Sequence, residues 1–387
     1  MHPLNQSPRS YAEVHVFGGK RYGESIVLKL PDGSFGVVDS CLDEELNGAR
    51  RNPVAEYLKS RGVSELRFLC LTHPHRDHFE GMLRLFTEFR PKQFWHPANT
   101  SAKFIASLIK RLKLPALEVN AFASLDALDE LEKLYFAVSA RMKDSRIRRL
   151  PFQCVSVVMN LSLLEVPAVG TFKAIAPHGN DIQSFQDRLQ SAFTPDGSLR
   201  PDLPDEKFNK ISIALLIAFK KFQIILCGDV ENASWQLIRR DCLTEDWRSR
   251  LFKVSHHGSA GAFCKKLSDA VFGNVAGTES VLTGFSSSHL PRQSVVNELK
   301  SLSNSVAITH RVHLQTRTDS PATESRRVLG QTFGIPSQQS SRSRGLVRST
   351  FMATSQADST FAGRCSYHFD REGRLVHTEI VGPATWI

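Results

Sequence analysis

Long apolar runs are absent from this sequence of 387 residues. The longest candidate, ISIALLIAF at residues 211–219, has the length of a strand, well short of the roughly 20 residues that a membrane helix needs. The first ten residues, MHPLNQSPRS, contain no apolar core and do not resemble a signal peptide. We therefore expect a soluble, cytoplasmic protein with no membrane partner.

Cysteine pairs and an excess of acidic charge are also absent. The seven cysteines are scattered, without a Cys-x-x-Cys motif, which is typical of small core residues in a reducing compartment. Lys and Arg number 49 against 39 Asp and Glu, which gives a net charge of +10. That charge favours an anionic partner such as nucleic acid, although a merely basic protein would show it too.

Histidine, in contrast, is concentrated in one short stretch. The sequence LTHPHRDH at residues 71–78 contains three of the 14 histidines and one aspartate. The apolar run LRFLCL precedes it and predicts a buried strand, and GMLRLFTEF after it predicts a helix. The cluster therefore lies at the C-terminal end of a strand, where α/β folds place their sites.

The cluster has the chemistry of a metal site. At an extended strand end His73 and His75 project to the same side, and Asp77 and His78 follow on the turn. Neutral imidazole and carboxylate suit Zn²⁺, Mn²⁺ or iron. The pattern supplies imidazoles to one metal ion, and a carboxylate and a further imidazole to a neighbouring one.

More ligand residues follow later strands. Asp229 follows IILCG, His256 and His257 follow FKVS, and His178 follows FKAIAP. Taken singly, Asp229 would be interpreted as a helix N-cap and His178 as a loop histidine. The repeated order of strand and then ligand favours a dinuclear site.

The motifs THPHRDH, CGD and SHHGS resemble those of the metallo-β-lactamase fold superfamily, and they follow one another in the superfamily's order. Four further stretches resemble the soluble domain of the bacterial competence DNA-uptake channel family and its stand-alone relatives. They are GESIVLKLPDGSFGVVDSC, NKISIALLIAFKKFQIILCGDVE, KVSHHGS and SSHLP. The resemblance implies an α/β fold, an αββα sandwich of the metallo-β-lactamase type.

The resemblance also implies a ligand set for two divalent metal ions, Zn or Mn. Its members are His73 and His75 for one ion, Asp77 and His78 for the other, and Asp229 as the bridge. One of His256 and His257 completes the second site; we favour His256, which is nearer the strand end, although the sequence leaves both open. His178 stays open as a ligand, because it occurs in PHG where PGH is commoner.

Such a centre, with a bridging hydroxide, hydrolyses phosphodiesters, β-lactams, thioesters or lactones, and the metal core does not choose among them. The charge, the association of this branch with DNA, and basic residues expected near the cleft favour a nuclease. Those basic residues, which we predict to bind substrate, are Arg76, Lys253 and Arg292. Asp77 and Asp229 would orient the hydroxide, and His289 of SSHLP would protonate the leaving oxygen.

Two alternatives stay open. One is a small-molecule hydrolase that acts on a lactone, a thioester or a cyclic nucleotide. The other is a non-catalytic binding module that depends on partner proteins of a multi-component system. An intact ligand set argues against the second, because a site free to drift should have lost a ligand.

The domain organisation follows from composition. We predict a hydrolase domain over residues 1–315, with a helical insertion at about 100–150. A flexible Ser/Thr/Arg-rich segment is predicted at 316–363, because residues 316–360 show little periodicity. RCSYHFDREGRLVHTEIV then predicts a C-terminal hairpin within 364–387, packed on the main domain.

Overall fold

A computed structural model of the chain describes most of the sequence. The described residues are 11–19, 23–44, 50–98, 125–148, 151–166, 170–191, 208–242, 245–273, 277–310 and 363–387. Among them, no helix combines the length and the apolar character needed to cross a membrane.

Two mixed sheets of eight strands form the centre of the fold. The strands of the first sheet are β1 (Ala12–Gly18), β2 (Glu24–Lys29), β3 (Phe35–Val38), β6 (Phe68–Cys70), β7 (Gln93–Pro97), β8 (Gln153–Val157), β16 (Gly363–Phe369) and β17 (Leu375–Val381). Their order is β17-β16-β1-β2-β3-β6-β7-β8. The short strands β4 (Asp43–Glu44) and β5 (Arg50–Arg51) pair separately.

The second sheet has the order β18-β15-β14-β13-β12-β11-β10-β9. Its strands are β9 (Ser162–Val166), β10 (Gly170–Ala176), β11 (Ala214–Phe219), β12 (Gln223–Leu226), β13 (Leu251–Lys253), β14 (Glu279–Leu282), β15 (Ser305–Ile308) and β18 (Thr385–Trp386). Strands β12 to β15 are parallel, as are β3, β6, β7 and β8 in the first sheet.

The described helices lie outside the two sheets. They are α1 (Pro53–Ser60), α2 (Arg76–Phe79), α3 (Met82–Glu88), α4 (Leu125–Arg148), α5 (Gly179–Ser191), α6 (Asn232–Asp241), α7 (Lys265–Phe272) and α8 (Gln293–Leu302). Short 3₁₀ turns occupy Phe208–Ile211, Ser255–Gly258 and Ser286–Ser288. Helix α1 begins where Asn52 Oδ1 accepts a hydrogen bond from the Ala55 amide and Pro53 takes the first helical position.

Alternation along the strands produces three apolar layers. In β2, Ile26 and Leu28 pack between the sheets with Phe68, whereas Val27 packs outward with Leu58 of α1. Such two-residue alternation lets one strand contribute to two cores. Each of these buried side chains stabilises the fold by about 1.5–3 kcal/mol relative to exposure. A third cluster joins the outer face of the second sheet to α6, α7 and α8.

The described residues thus form the predicted α/β fold, an αββα sandwich. Near the start of the chain, the Pro-Asp-Gly turn between the runs ESIVLKL and SFGVVDS predicts a hairpin, and β1, β2 and β3 are indeed antiparallel neighbours. Strands β16 and β17 form the predicted C-terminal hairpin, and β16 pairs with β1. The flexible segment predicted at 316–363 and the first part of the helical insertion, up to residue 124, lie outside the described residues except for Gly363. The domain limits stay a prediction.

Candidate metal centre

The ends of parallel strands from both sheets converge on one buried group of side chains. Asp77, His78, Asp229 and His257 each offer one ligand atom, and these atoms all lie within 4.8 Å of one another. All four side chains are buried. The motif after β6 supplies the first two, β12 leads into Asp229, and β13 leads into His257.

A second group shares one member with the first. His73, His75 and Asp229 also have ligand atoms within 4.8 Å of one another. His73 Nε2 lies 3.9 Å from Asp229 Oδ2 and 2.9 Å from His75 Nδ1. Asp229 is therefore the side chain that joins both groups, as the sequence predicts for a bridging ligand.

The Cys-Gly-Asp motif forms a tight turn that only glycine allows. Gly228 has φ of +50°, and a Cβ there would lie 2.5 Å from Ser212 Oγ and 2.7 Å from the Ile213 carbonyl oxygen. The next amide, that of Asp229, donates a hydrogen bond to Ser212 Oγ at 2.9 Å. Without a side chain at residue 228 the backbone can approach β11 closely and aim Asp229 into the site.

The two histidines after β13 lie on a strained turn. His256 and His257 have φ of 45° and 51°, so two consecutive non-glycine residues occupy the left-handed region. Such conformations cost about 1–3 kcal/mol each and cluster at functional sites. The turn directs His257 Nε2 to within 3.1 Å of Asp77 Oδ2.

The structure places His257, rather than the His256 that we favour from the sequence, in the group with Asp77 and His78. His256 lies beside the second group, with Nε2 3.9 Å from Asp229 Oδ2. Both histidines lie on a left-handed turn, so their side chains do not follow the alternation of an extended strand end.

Asp39 fixes the orientation of His78. The carboxylate of Asp39 accepts hydrogen bonds from His78 Nδ1 at 2.7 Å, from Thr72 Oγ1 at 2.7 Å and from the Thr72 amide at 2.7 Å. With Nδ1 engaged, His78 Nε2 points to Asp77 and Asp229, 3.4 Å from a carboxylate oxygen of each. A carboxylate behind a metal-binding imidazole is a common support in metalloproteins.

Most of these groups are in the protonation state that metal binding requires. Burial acts to raise the pKa of Asp77 and Asp229, but the charge of His78 outweighs it, with help from His257, and holds both well below the usual range. Burial lowers the pKa of His75 to about 4 and that of His73 well below 6.5. Two ionised carboxylates and two neutral imidazoles result.

His78 differs from the other imidazoles. Burial acts to lower its pKa, yet the negative charges of Asp229, Asp77 and Asp39 outweigh burial and raise it well above 6.5. A metal ion at Nε2 would therefore displace a proton from His78, and its binding would release that proton.

The donor set fits a pair of divalent ions. Among the described residues, the buried atoms His78 Nε2 and Asp229 Oδ1 make no hydrogen bond, which is costly unless another group satisfies them. Imidazole and carboxylate ligands without thiolate suit Zn²⁺ and Mn²⁺. His73 and His75 would hold one ion, Asp77, His78 and His257 the other, and Asp229 would hold both.

A small cleft of about 30 Å³ opens onto this centre. Its lining residues are His75, Asp77, Asn209, Asp229, His256, His257, Phe285, Ser288 and Leu290. The buried atoms Asn209 Oδ1 and Ser288 Oγ make no hydrogen bond within the described residues. We did not predict these two residues, although they occur in the NKIS and SSHLP stretches that carry the resemblance.

Two residues predicted for the site have other partners. His178 is in neither ligand group, and its Nε2 lies 2.7 Å from Asp241 Oδ2, at the end of α6. Lys253 is fully buried and pairs with Glu24 Oε2 at 2.5 Å. The ammonium of Lys253 therefore faces a carboxylate inside the fold and does not line the cleft.

The remaining predicted residues, Arg76, Arg292 and His289, do not line the cleft. Arg76 Nε pairs with Glu80 Oε1 at 2.6 Å. The buried Arg292 precedes α8, and its amide donates to the Gly258 carbonyl oxygen at 3.0 Å. His289 has φ of 53° and follows Ser288, which does line the cleft.

The geometry predicts that His178→Ala leaves the metal content unchanged, because His178 contacts Asp241 and neither ligand group. The paired substitution His73→Ala with His75→Ala should remove at least one of about two ions per chain. Elemental analysis of the purified variants measures both. Loss of metal from His178→Ala would restore His178 as a ligand.

Comparison with known proteins gives structural matches only. No family model and no curated protein matches this sequence. Yeast PDE1 matches with 12% identity and a TM-score of 0.40, over 79% of this chain and 98% of PDE1. Tm1679, described as a metal-dependent hydrolase of the β-lactamase superfamily, matches with 13% identity and a TM-score of 0.39, over 78% of this chain and 96% of Tm1679.

A long-form RNase Z from yeast matches with 9% identity and a TM-score of 0.39, over 96% of this chain. This chain spans about half of that enzyme, 49% of its length. The closer resemblance to the competence-channel branch stays a prediction.

Proposed function

We propose that this protein is a metal-dependent hydrolase with a dinuclear centre, and that it cleaves phosphodiester bonds in nucleic acid. One observation carries the proposal: Asp229 belongs to two ligand groups, one fully buried and one in which only His75 is partly exposed. A single shared carboxylate would hold two ions close together, which is the arrangement that hydrolytic two-metal sites use.

The side chains have separate roles in this proposal. When bound, two such ions lower the pKa of a water and polarise the electrophile. Asp77, held ionised by its histidine neighbours, accepts a hydrogen bond from the attacking water and so orients it. His289, next to the cleft-lining Ser288, protonates the leaving oxygen.

The preference for nucleic acid rests on charge. The chain carries a net charge of +10, and residues 311–362 include seven arginines against three acidic residues. A polyanionic substrate gains affinity from such an excess by counterion release.

A small-molecule hydrolase is the second candidate, and the ion pairs of the predicted substrate-binding residues favour it. Lys253 is committed to Glu24, and Arg76 contacts Glu80, so two of the three basic side chains predicted to bind substrate have acidic partners. A small lactone, thioester or cyclic nucleotide needs fewer cationic contacts than a nucleic acid.

An activity panel separates the two candidates. With Mn²⁺ or Zn²⁺ the protein should cleave DNA, RNA or a model phosphodiester, and Asp77→Ala should reduce the rate by about 10²–10⁴-fold, the usual contribution of a positioned acid–base group. The panel should include cyclic nucleotides, lactones and thioesters, each with the Asp77→Ala control.

Robust turnover of a lactone or thioester, with no cleavage of nucleic acid, would favour the second candidate. Metal binding without turnover of any of these substrates would favour the non-catalytic binding module.

A further inference from the structure

We propose that Glu24, Thr283 and Lys253 form a buried relay that fixes the tautomer of His257 and thereby sets the metal affinity of its subsite. None of the three is placed among the metal ligands, and the relay gives the Glu24–Lys253 pair a role as positioning residues. The proposal rests on the proposed function only in treating His257 as a ligand.

Three short contacts connect the relay. Lys253 Nζ lies 2.5 Å from Glu24 Oε2. Thr283 Oγ1 donates to the same Glu24 oxygen at 2.9 Å. Thr283 Oγ1 lies 2.8 Å from His257 Nδ1, and the opposite ring nitrogen, Nε2, lies 3.1 Å from Asp77 Oδ2.

The hydrogen count decides the tautomer. A threonine hydroxyl has one proton, and that of Thr283 goes to the Glu24 carboxylate. Thr283 can then only accept at its contact with His257, so Nδ1 of His257 must carry a proton. Nε2, which faces Asp77, is thereby left as the nitrogen that can bind a metal ion.

The position of the relay makes it rigid. Glu24 begins β2 of the first sheet, whereas Lys253 ends β13 and Thr283 follows β14 of the second sheet. All three side chains are 0% exposed. A buried ion pair is held firmly in place, because separating it would leave an uncompensated charge. The relay therefore ties the two sheets together directly behind His257.

The backbone before Glu24 is built for this contact. Gly23 has φ of +107°, and a Cβ there would lie 2.4 Å from Cys41 Cβ. Gly23 therefore sets the direction in which Glu24 enters the interior. This gives a physical reason for the Gly-Glu-Ser sequence that ends GGKRYGES.

Glu24 also belongs to a third group of potential metal ligands, with Asp39 and His78, whose ligand atoms lie within 4.8 Å of one another. In that group His78 Nδ1 already contacts Asp39, and the other ring nitrogen, Nε2, faces Asp77 and Asp229 and not Glu24. We therefore interpret Glu24 as a support for the ligands rather than as a ligand.

The first test replaces Thr283 by valine, which keeps the shape but removes the hydroxyl and leaves the Glu24–Lys253 pair in place. Partners behind metal-binding histidines typically contribute 10–100-fold to metal affinity. We expect Thr283→Val to weaken one of two zinc equivalents by about 10–100-fold in a chelator competition, and Thr283→Ser to restore it. Long-range ¹H–¹⁵N spectra should show His257 protonated on Nδ1 in the wild type. In the valine variant the tautomer of His257 should differ.

Thr278→Val is the matched control. Thr278 is a buried threonine just before the other end of β14, and its Oγ1 donates to the Ser249 carbonyl oxygen at 2.7 Å, away from the metal ligands. The Thr278→Val variant should lower the stability of the protein about as much as Thr283→Val does, but both zinc equivalents should keep their affinity. If both threonine variants lost metal equally, Thr283 would act only through packing, and the relay proposal would be wrong.

The second test removes the ion pair as a unit. Glu24→Leu combined with Lys253→Met replaces both charges with apolar groups, a change that buried ion pairs often tolerate. The double variant should fold, yet bind its second zinc ion more weakly, because Thr283 loses its acceptor and can donate to His257 instead. The proposal would be overturned if two results came together. The double variant would bind zinc with wild-type affinity, and Thr283→Val would show wild-type zinc affinity and a wild-type His257 spectrum.

These results separate the relay from the proposed function. If the wild type binds two ions but hydrolyses nothing, the function fails and the relay stands on the zinc data. If the wild type binds no metal, the function fails, and the part of the relay proposal that concerns metal affinity fails with it. The His257 spectra of the metal-free wild type and of Thr283→Val then decide whether the relay fixes the tautomer.

Discussion

Asp229→Ala should abolish hydrolysis and strip both metal ions from the protein. Asp229 belongs to both ligand groups, and its Oδ1 is one of the buried atoms that make no hydrogen bond within the described residues. Removing it leaves His73 and His75 with no carboxylate partner in their group. We expect kcat/KM to fall by at least about 10²–10⁴-fold, and elemental analysis to give well under one ion per chain.

Two further variants test whether this result is specific to the charge and position of Asp229. Asp229→Asn keeps the shape but not the charge, so it should lose metal nearly as completely if the bridging charge is what matters. Asp241→Ala removes a carboxylate that contacts His178 and belongs to neither group, so it should keep metal and activity. Retention of two ions by Asp229→Ala would refute the shared-carboxylate centre, whatever its activity.

Metal loading should stabilise the protein strongly, and more so as the pH rises. A ligand at 100 times its Kd that binds only the folded state adds about 2.7 kcal/mol to the free energy of unfolding. Two independent sites would add this amount twice. Thermal unfolding with and without Zn²⁺, with a chelator as the control, measures the gain.

The sign of the pH effect follows from the pKa shifts. In the metal-free protein the pKa of His78 is raised, so its stabilising contribution is complete below about pH 6.5 and is lost as the pH rises through the folded-state value. The pKa values of Asp77 and Asp229 are lowered, so their contribution is present above about pH 4 and is lost only in stronger acid. His75, with a pKa lowered to about 4, contributes above pH 6.5 and loses this contribution as the pH falls toward 4.

Metal competes with the proton on His78. While His78 is protonated, the affinity for the ion next to it should rise about tenfold per pH unit, which is about 1.4 kcal/mol of added stabilisation per unit. The zinc-dependent gain in stability should therefore be larger at pH 8 than at pH 6. An equal gain at both values would mean that His78 is not a ligand.

The sequence by itself predicted the elements that local patterns encode. Alternating apolar residues predicted β1 to β3, and the Pro-Asp-Gly turn predicted their hairpin, because burial on one face of a strand leaves a two-residue period. The run of histidines after a buried strand predicted a ligand cluster, since strand ends gather at one edge of a parallel sheet. These inferences need only neighbouring residues.

The tertiary structure decided what depends on residues far apart in the chain. His257 contacts Asp77 across 180 residues, and Thr283 contacts Glu24 across 259. The position of Lys253 beside a histidine motif predicted a substrate contact, yet its partner comes from the opposite sheet. Local spacing cannot choose His257 over His256, or direct Lys253 inward, because the packing of two separate sheets sets which side chains meet.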